Sequence, residues 1–495
     1  MKRAAAARRI SADDVFLAAG FAALTAAFFP LTFDADGFIN AVLAERPAFA
    51  YFEYAHPAFT PLLAVLHAIL NSLGIGAPHA YAYQVLSLVF ATGALVIYRR
   101  LLERALGSRP LSWVGAILGG LSAGYWSAAA QIRPYSAACF FIALAAAAIF
   151  RDDAENFTMA GAALGTACGF TMGSAALLPV FFFAAWRRKR ALRFCAGLTG
   201  AIAACYAVFF AWRHAHAYDD FSHLGLLSAR LAAVPSHGGL ASRGVWAQLK
   251  MFVGFLLDEN PAFLLLAPFL LLLPTGLGEP RRPVARFLAA ALAGFFVFFC
   301  CVDVFNSFRW ILFLLFVPLV LLGAAKRSWA TNALAGLAIV LAGFSFSARI
   351  EPRLKPDPAA AEGAFLSARV SPQDLVVAVG PPDWRLLYFW GDRLPMVVAG
   401  PDPSDAGPFG VEVVPLDAAL EHRIRTALDS GNKVLLAADM LFQPREVWSE
   451  AEALARQQAL QGFVTKYFAL KPPLVSPSGQ YYYPLAIRAR RAVRS

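Results

Sequence analysis

With 495 residues, 59% of them hydrophobic and only 15% charged, the chain carries too little charge to dress a soluble surface, where about 25% is usual. Lys and Arg outnumber Asp and Glu by 43 to 32, a net charge of +11. The cations gather in short clusters beside apolar segments, which argues for cytoplasmic loops of a polytopic membrane protein and against a nucleic-acid interface. All six Cys (Cys139, Cys168, Cys195, Cys205, Cys300, Cys301) fall in apolar segments, with no Cys-x-x-Cys pair, so neither a disulfide framework nor a zinc site is expected.

Lys2, Arg3, Arg8 and Arg9 precede an apolar run over residues 15–33. That run is longer than the core of a cleaved signal peptide, about 7–15 residues, and reads as an uncleaved first span. An outward loop follows, with Asp34, Asp36, Glu45 and Glu53 set against one cation, Arg46. Residues 59–73, after Pro57, are short for a span and read as an interfacial or re-entrant helix at the outer surface. Spans are expected at 80–98, 111–130 and 135–150. Arg99, Arg100, Arg104 and Arg109 lie between the first two of these, at the cytoplasmic side. The stretch 157–186 is too long for one span and is divided near Gly173-Ser174. The division places Arg187, Arg188, Lys189, Arg190 and Arg193 inside. Further spans are expected at 192–212, 261–274, 287–302, 310–325 and 329–347, with an outward loop over 213–260. The total is about eleven spans, and an odd count puts the carboxy terminus outside.

After residue 347 the chain becomes charged and rich in Pro. Short apolar runs at 374–380, 395–400 and 433–438 read as strands, and 416–430 and 444–467 as helices, the first ending at Gly431. The expected organisation is a mostly α transmembrane bundle over residues 1–348, with outer loops 34–79 and 213–260, and a small extracytoplasmic α/β domain over 349–495.

Several outer turns share a pattern. Asp34-Ala35-Asp36 follows the first span; Tyr51-Phe52-Glu53-Tyr54-Ala55-His56-Pro57 precedes the interfacial helix. Gln131-Ile132-Arg133-Pro134-Tyr135 stands between spans three and four, and Ser307-Phe308-Arg309-Trp310 precedes an apolar run containing Pro318. In order and spacing over residues 1–347 the set resembles the GT-C superfamily of glycosyltransferases, in particular the group of protein O-mannosyltransferases and aminoarabinose lipid A transferases. That resemblance implies a GT-C bundle, a polyprenyl-phosphate-linked sugar donor and an outer-face active site. It implies Asp34 or Asp36 as the catalytic base, Arg133 and Arg309 on the donor phosphate, and Glu53, His56 and Tyr135 against substrate. Two departures stand out. Ala35 separates the two acids, and Ala55-His56 replaces a frequent Lys-Pro, which removes a lysine from the donor phosphate and leaves the donor class open.

The residue types suit that chemistry on their own terms. A sugar on a lipid phosphate already has a good leaving group, whereas an acceptor hydroxyl needs a positioned base. Arginine holds a departing phosphate through paired, charge-assisted hydrogen bonds. A divalent cation near Asp36 stays open, as do the sugar and the acceptor, which is a lipid, a glycan or a protein. The bland readings are an Asp at a solvated span end, a His56 that caps the helix after Pro57, and an Arg133 that snorkels to head groups. Two other classes compete with the enzyme. A transporter or lipid flippase places ionisable groups inside its spans, where this chain has almost none. A non-catalytic anchor or sensor leaves the set of outward Asp, Glu and Arg without a purpose.

Overall fold

The structure, a computed structural model, describes residues 11–29, 35–45, 56–76, 79–150, 156–215, 246–247, 250, 265–273, 282–302, 309–354, 358–379, 396–399, 412–437, 450–477 and 479–487. It divides into two compact units. One comprises residues 1–30 and 52–354, the other residues 31–51 and 355–495.

The first unit is helical. Its elements are α1 (Ala12–Ala27), α3 (Phe59–Ser72), α4 (Ala80–Leu106), α5 (Arg109–Gly120), α6 (Ala123–Ala130), α7 (Pro134–Ile149), α8 (Asn156–Phe170), α9 (Leu178–Arg187), α10 (Ala191–His214), α11 (Arg282–Val302), α12 (Arg309–Ala324) and α13 (Ser328–Phe344). Helix α2 (Ala35–Glu45) groups with the second unit. Among the described residues three helices are long and apolar enough to cross a membrane: Ala80–Leu106, Ala191–His214 and Ser328–Ser347. A bent pair, α6 with α7, makes a fourth. Helix α3 is only 14 residues long, about 21 Å at 1.5 Å per residue, shorter than the hydrocarbon core.

One segment differs in detail from the sequence reading, and another is interrupted where that reading divides it. The expected span over 111–130 is two helices. Ser122 is extended and its hydroxyl accepts from the Tyr125 amide, which starts α6 afresh. Gly119-Gly120 just before it weakens the preceding helix, and the Ser345 hydroxyl donates to the Leu121 carbonyl that the break exposes. In the long stretch 157–186, α8 ends at Phe170, Thr171 is extended, and a 3₁₀ turn over Met172–Leu177 leads into α9.

Helices α8 and α10 meet through glycine. A Cβ on Gly161 would lie 2.0 Å from the Phe194 carbonyl oxygen, and one on Gly197 would lie 2.0 Å from that of Thr158. Small residues let helix backbones approach this closely where no water drives them together.

One end of the bundle is tied by charge. Ser11 and Asp14 form a capping box at the start of α1, so each satisfies an amide the helix leaves open. The Asp14 carboxylate also accepts from Arg99 at 2.8 Å and from Arg100 at 2.6 Å, and Asp13 pairs with Arg109 across to α5. Arg99 and Asp14 are both buried. Burial pushes the Asp14 carboxyl up, but hydrogen bonds from Arg100, Ser11 and Arg99 outweigh it and hold the group well below the usual carboxylate range. The cluster that reads from sequence as a topology signal therefore also fastens α1 to α4.

The second unit contains a twisted sheet with strand order β3-β2-β1-β4-β7-β5: β1 (Leu375–Val379), β2 (Met396–Ala399), β3 (Glu412–Val414), β4 (Val434–Ala437), β5 (Phe468–Leu470) and β7 (Tyr481–Ile487), with β6 (Leu474–Val475) on β7. Strands β1 to β4 run parallel, and β7 closes against β4 antiparallel. Helices α14 (Pro358–Ser367), α15 (Ala418–Asp429) and α16 (Glu450–Tyr467) complete the unit. Leu366, Leu420, Ile424 and Val464 bury against Val376, Val377 and Leu435 of the sheet. Helix α15 starts at Asp417, whose carboxylate accepts from the Ala419 amide, and ends before Gly431, which takes the left-handed conformation that favours glycine.

Candidate functional site

Arg133 stands in the turn between α6 and α7, where the chain bends by 112°. The residue before a proline is pushed out of the helical region, and proline itself opens a helix readily. Arg133 accordingly is extended and Pro134 begins α7. The turn is held from the side by α4. Gln84 donates its side-chain amide to the Ala130 carbonyl at 3.0 Å, and the Ser87 hydroxyl lies 3.3 Å from the Arg133 amide and 3.4 Å from its carbonyl oxygen. The Arg133 guanidinium carbon lies 5.5 Å from the centre of the Tyr135 ring, within cation–π range.

Tyr135 is buried on the first turn of α7, and its ring meets that of His56 edge-on at 5.8 Å. His56 is half-buried. Its Nδ1 lies 2.7 Å from the Phe170 carbonyl oxygen, and the Ala58 amide donates to the Gly169 carbonyl at 2.9 Å. Those are among the last carbonyls of α8, which the helix cannot satisfy itself. His56 thus caps α8, over a hundred residues away, rather than the helix after Pro57. Because a carbonyl only accepts, Nδ1 carries the proton, and Nε2 is the ring nitrogen left for other work.

Three of the residues singled out in the sequence, His56, Tyr135 and Arg133, therefore come together in the first unit. Asp34 and Glu53 lie outside the described residues. So do the side chains of Asp36, on the first turn of α2, and of Arg309, the first residue of α12. Most of the loop 213–260, with Asp219, Asp220 and His223, also lies outside them. Among the described residues no three His, Cys, Asp or Glu side chains gather as a metal ion would require.

Gln84 and Ser87 were not picked out from the sequence. Their signal is two polar residues three apart in an otherwise apolar segment, which places both on one helix face. Toward the start of α4 lies a second polar chain. His79 Nε2 bonds the side-chain oxygen Oδ1 of Asn71 at 3.1 Å, and the Asn71 side-chain Nδ2 donates to His67 Nε2 at 2.9 Å. It links the end of α3 to the start of α4.

No protein-family profile and no curated protein sequence matches the chain. Solved structures do. ArnT from Cupriavidus metallidurans bound to undecaprenyl phosphate aligns at a TM-score of 0.59 and 13% identity, over 95% of this chain and 97% of that one. The apo state of the same protein aligns at 0.58 and 12%, over the same shares. At that identity the likeness is one of architecture, and the fold of this chain is that of ArnT.

Proposed function

We propose that the chain is a membrane glycosyltransferase that moves a sugar from a polyprenyl-phosphate carrier to a hydroxyl of a lipid, glycan or protein at the outer face of the inner or plasma membrane. The observation that carries this reading is the likeness to lipid-phosphate-bound ArnT over nearly the whole of both chains. The gathering of His56, Tyr135 and Arg133 at one turn supports it. A transporter or flippase, or a non-catalytic anchor, leaves that likeness unused.

In the proposed reaction the acceptor oxygen attacks the anomeric carbon of the donor as its proton passes to Asp34 or Asp36. The new C–O bond forms on one face while the bond to the phosphate breaks on the other, which inverts the anomeric centre. The polyprenyl phosphate leaves with the bonding pair. Arg133, joined by Arg309, holds the negative charge that grows on the leaving phosphate; fixed charge aimed at developing charge is usually the largest catalytic contribution. Ser87 and Gln84 position Arg133 by fixing its turn. Glu53, His56 and Tyr135 contact substrate, and Asp36 is the residue on offer to a divalent cation. The proposed topology has the amino terminus in the cytoplasm, about eleven spans, and the carboxy-terminal unit outside, where it orients the acceptor.

The test is transfer of radiolabelled sugar from polyprenyl-phosphate donors by the purified protein. An Asp34→Asn, Asp36→Asn double variant keeps shape but takes no proton, so turnover should fall by about 10²–10⁴ while donor binding persists. A double variant that folds and transfers sugar at the parent rate would refute the base assignment. A parent protein that moves labelled lipid across vesicles without forming any glycoside would favour the flippase instead.

A further inference from the structure

A cavity that Arg133 does not line lies toward the end of the bundle that carries the ion pairs. It has a volume of about 430 Å³, within the ~300–1,000 Å³ range of small-molecule sites. Its wall is mostly apolar and is drawn from five α-helices and the 3₁₀ turn before α9. Ile142, Phe150, Phe181, Phe287 and Leu315 are typical of it.

Two groups break that apolar lining. Tyr98 lines the cavity and is only 5% exposed, yet among the described residues its hydroxyl has no hydrogen-bond partner. A buried hydroxyl left without a partner costs free energy, and tyrosines in such places usually find one. Its ring is seated against α5, where a Cβ on Gly119 would come within 3.3 Å of it. Arg104 also lines the cavity and is exposed. It lies six residues further along α4, about 9 Å nearer the helix end. The wall ends there at Gly107, the residue that closes α4. The sequence of environments along one axis is apolar depth, a hydroxyl, then a cation at the rim. Arg99, one residue from Tyr98, does not line the cavity and is bound to Asp14, so the cation at this rim is separate from that ion pair.

We propose that this cavity is a binding site for an anionic glycerophospholipid of the adjoining leaflet. One acyl chain fills the apolar depth, the Tyr98 hydroxyl donates to an ester carbonyl, and Arg104 holds the phosphate. The polarity gradient favours a molecule with one apolar end and one anionic end, and membrane lipid is the abundant molecule of that kind at this depth. The site is distinct from the glycosyl-transfer site and its occupant is not a substrate; its test reads lipid retention, so it stands or falls independently of the proposed activity.

The experiment is native mass spectrometry of the full-length protein, delipidated and then titrated with defined lipids. Phosphatidylglycerol should bind at one site at least tenfold more tightly than phosphatidylcholine. Arg104→Gln should remove that preference. Tyr98→Phe, which keeps the ring against Gly119, should weaken phosphatidylglycerol by about three- to tenfold. Ala146→Phe, which fills the cavity, should abolish the site, and its melting temperature would report whether the bundle still folds. Equal affinity for both phospholipids would overturn the proposal. So would tighter binding of polyprenyl phosphate, or phosphatidylglycerol binding unchanged by both Arg104→Gln and Tyr98→Phe.

Discussion

Helix α4 puts arginine chemistry to two different uses near its two ends. Toward one end its own Arg99 and Arg100 meet the carboxylates of Asp13 and Asp14, so the charges cancel in place. Toward the other, α4 contributes only neutral groups, Gln84 and Ser87, and these fix the backbone of Arg133 while its guanidinium lies over an aromatic ring. A cation neutralised by buried carboxylates is a fastening. An arginine whose backbone is fixed from the side by neutral groups is placed at a turn rather than tied between two helices. The difference teaches that the number of arginines near a helix end says little until their partners are known.

The contrast can be broken in order of expected effect. Asp14→Asn should leave Arg99 buried beside a neutral group, and breaking a buried pair costs about 3–5 kcal/mol. The melting temperature of the detergent-solubilised protein should fall strongly, with donor affinity per folded molecule unchanged. Arg133→Gln should do the opposite. A charge-assisted hydrogen bond is worth about 1.5–3 kcal/mol, so affinity for a polyprenyl-phosphate donor, read by equilibrium binding, should drop by about tenfold or more. The melting temperature should hardly move. A variant at Arg133 that melts as early as Asp14→Asn would erase the distinction.

Ser87→Ala should act on the same side as Arg133 but more weakly. It removes a neutral hydrogen bond, about 0.5–1.5 kcal/mol, and loosens the Arg133 turn. Donor affinity should fall less than tenfold, and a double variant with Arg133→Gln should be no worse than Arg133→Gln alone. The smallest effect concerns pH. Asp14 titrates lower in the folded protein than in the unfolded chain. Its stabilisation is therefore fully present above about pH 4, the unfolded value for Asp, and is lost as the pH falls through the folded value. The gap between the melting curves of the parent and Asp14→Asn should narrow progressively as the pH falls below about 4, and stay constant above it.

Much of the helical architecture was legible because apolar length is a strong signal. Residues 80–98 and 192–212 sit inside long helices, and Gly431 ends α15 as its backbone conformation requires. In the second unit, short apolar runs between turn residues marked the places of β1, β2 and β4. What was not legible was local. The break at Ser122 lies in a run whose composition stays apolar on both sides, and only the cap geometry reveals it. At the candidate site, Arg133 and Tyr135 showed themselves as a polar pair between two apolar runs. Gln84 and Ser87 did not, because their partners lie 46 residues away in sequence. For the same reason nothing near His56 pointed to the end of α8.

The glycine contact between α8 and α10 has a consequence for anyone comparing relatives of this chain. At Gly161, Gly165 and Gly197 even a methyl group would collide with the backbone of the facing helix. A saturation-mutagenesis scan would therefore mark these positions as intolerant to every replacement, as sharply as it marks a catalytic acid. The cause would be room, not reactivity, and the two are separable by scoring membrane abundance beside turnover. The glycine variants should lose both together, whereas a true site residue loses turnover alone.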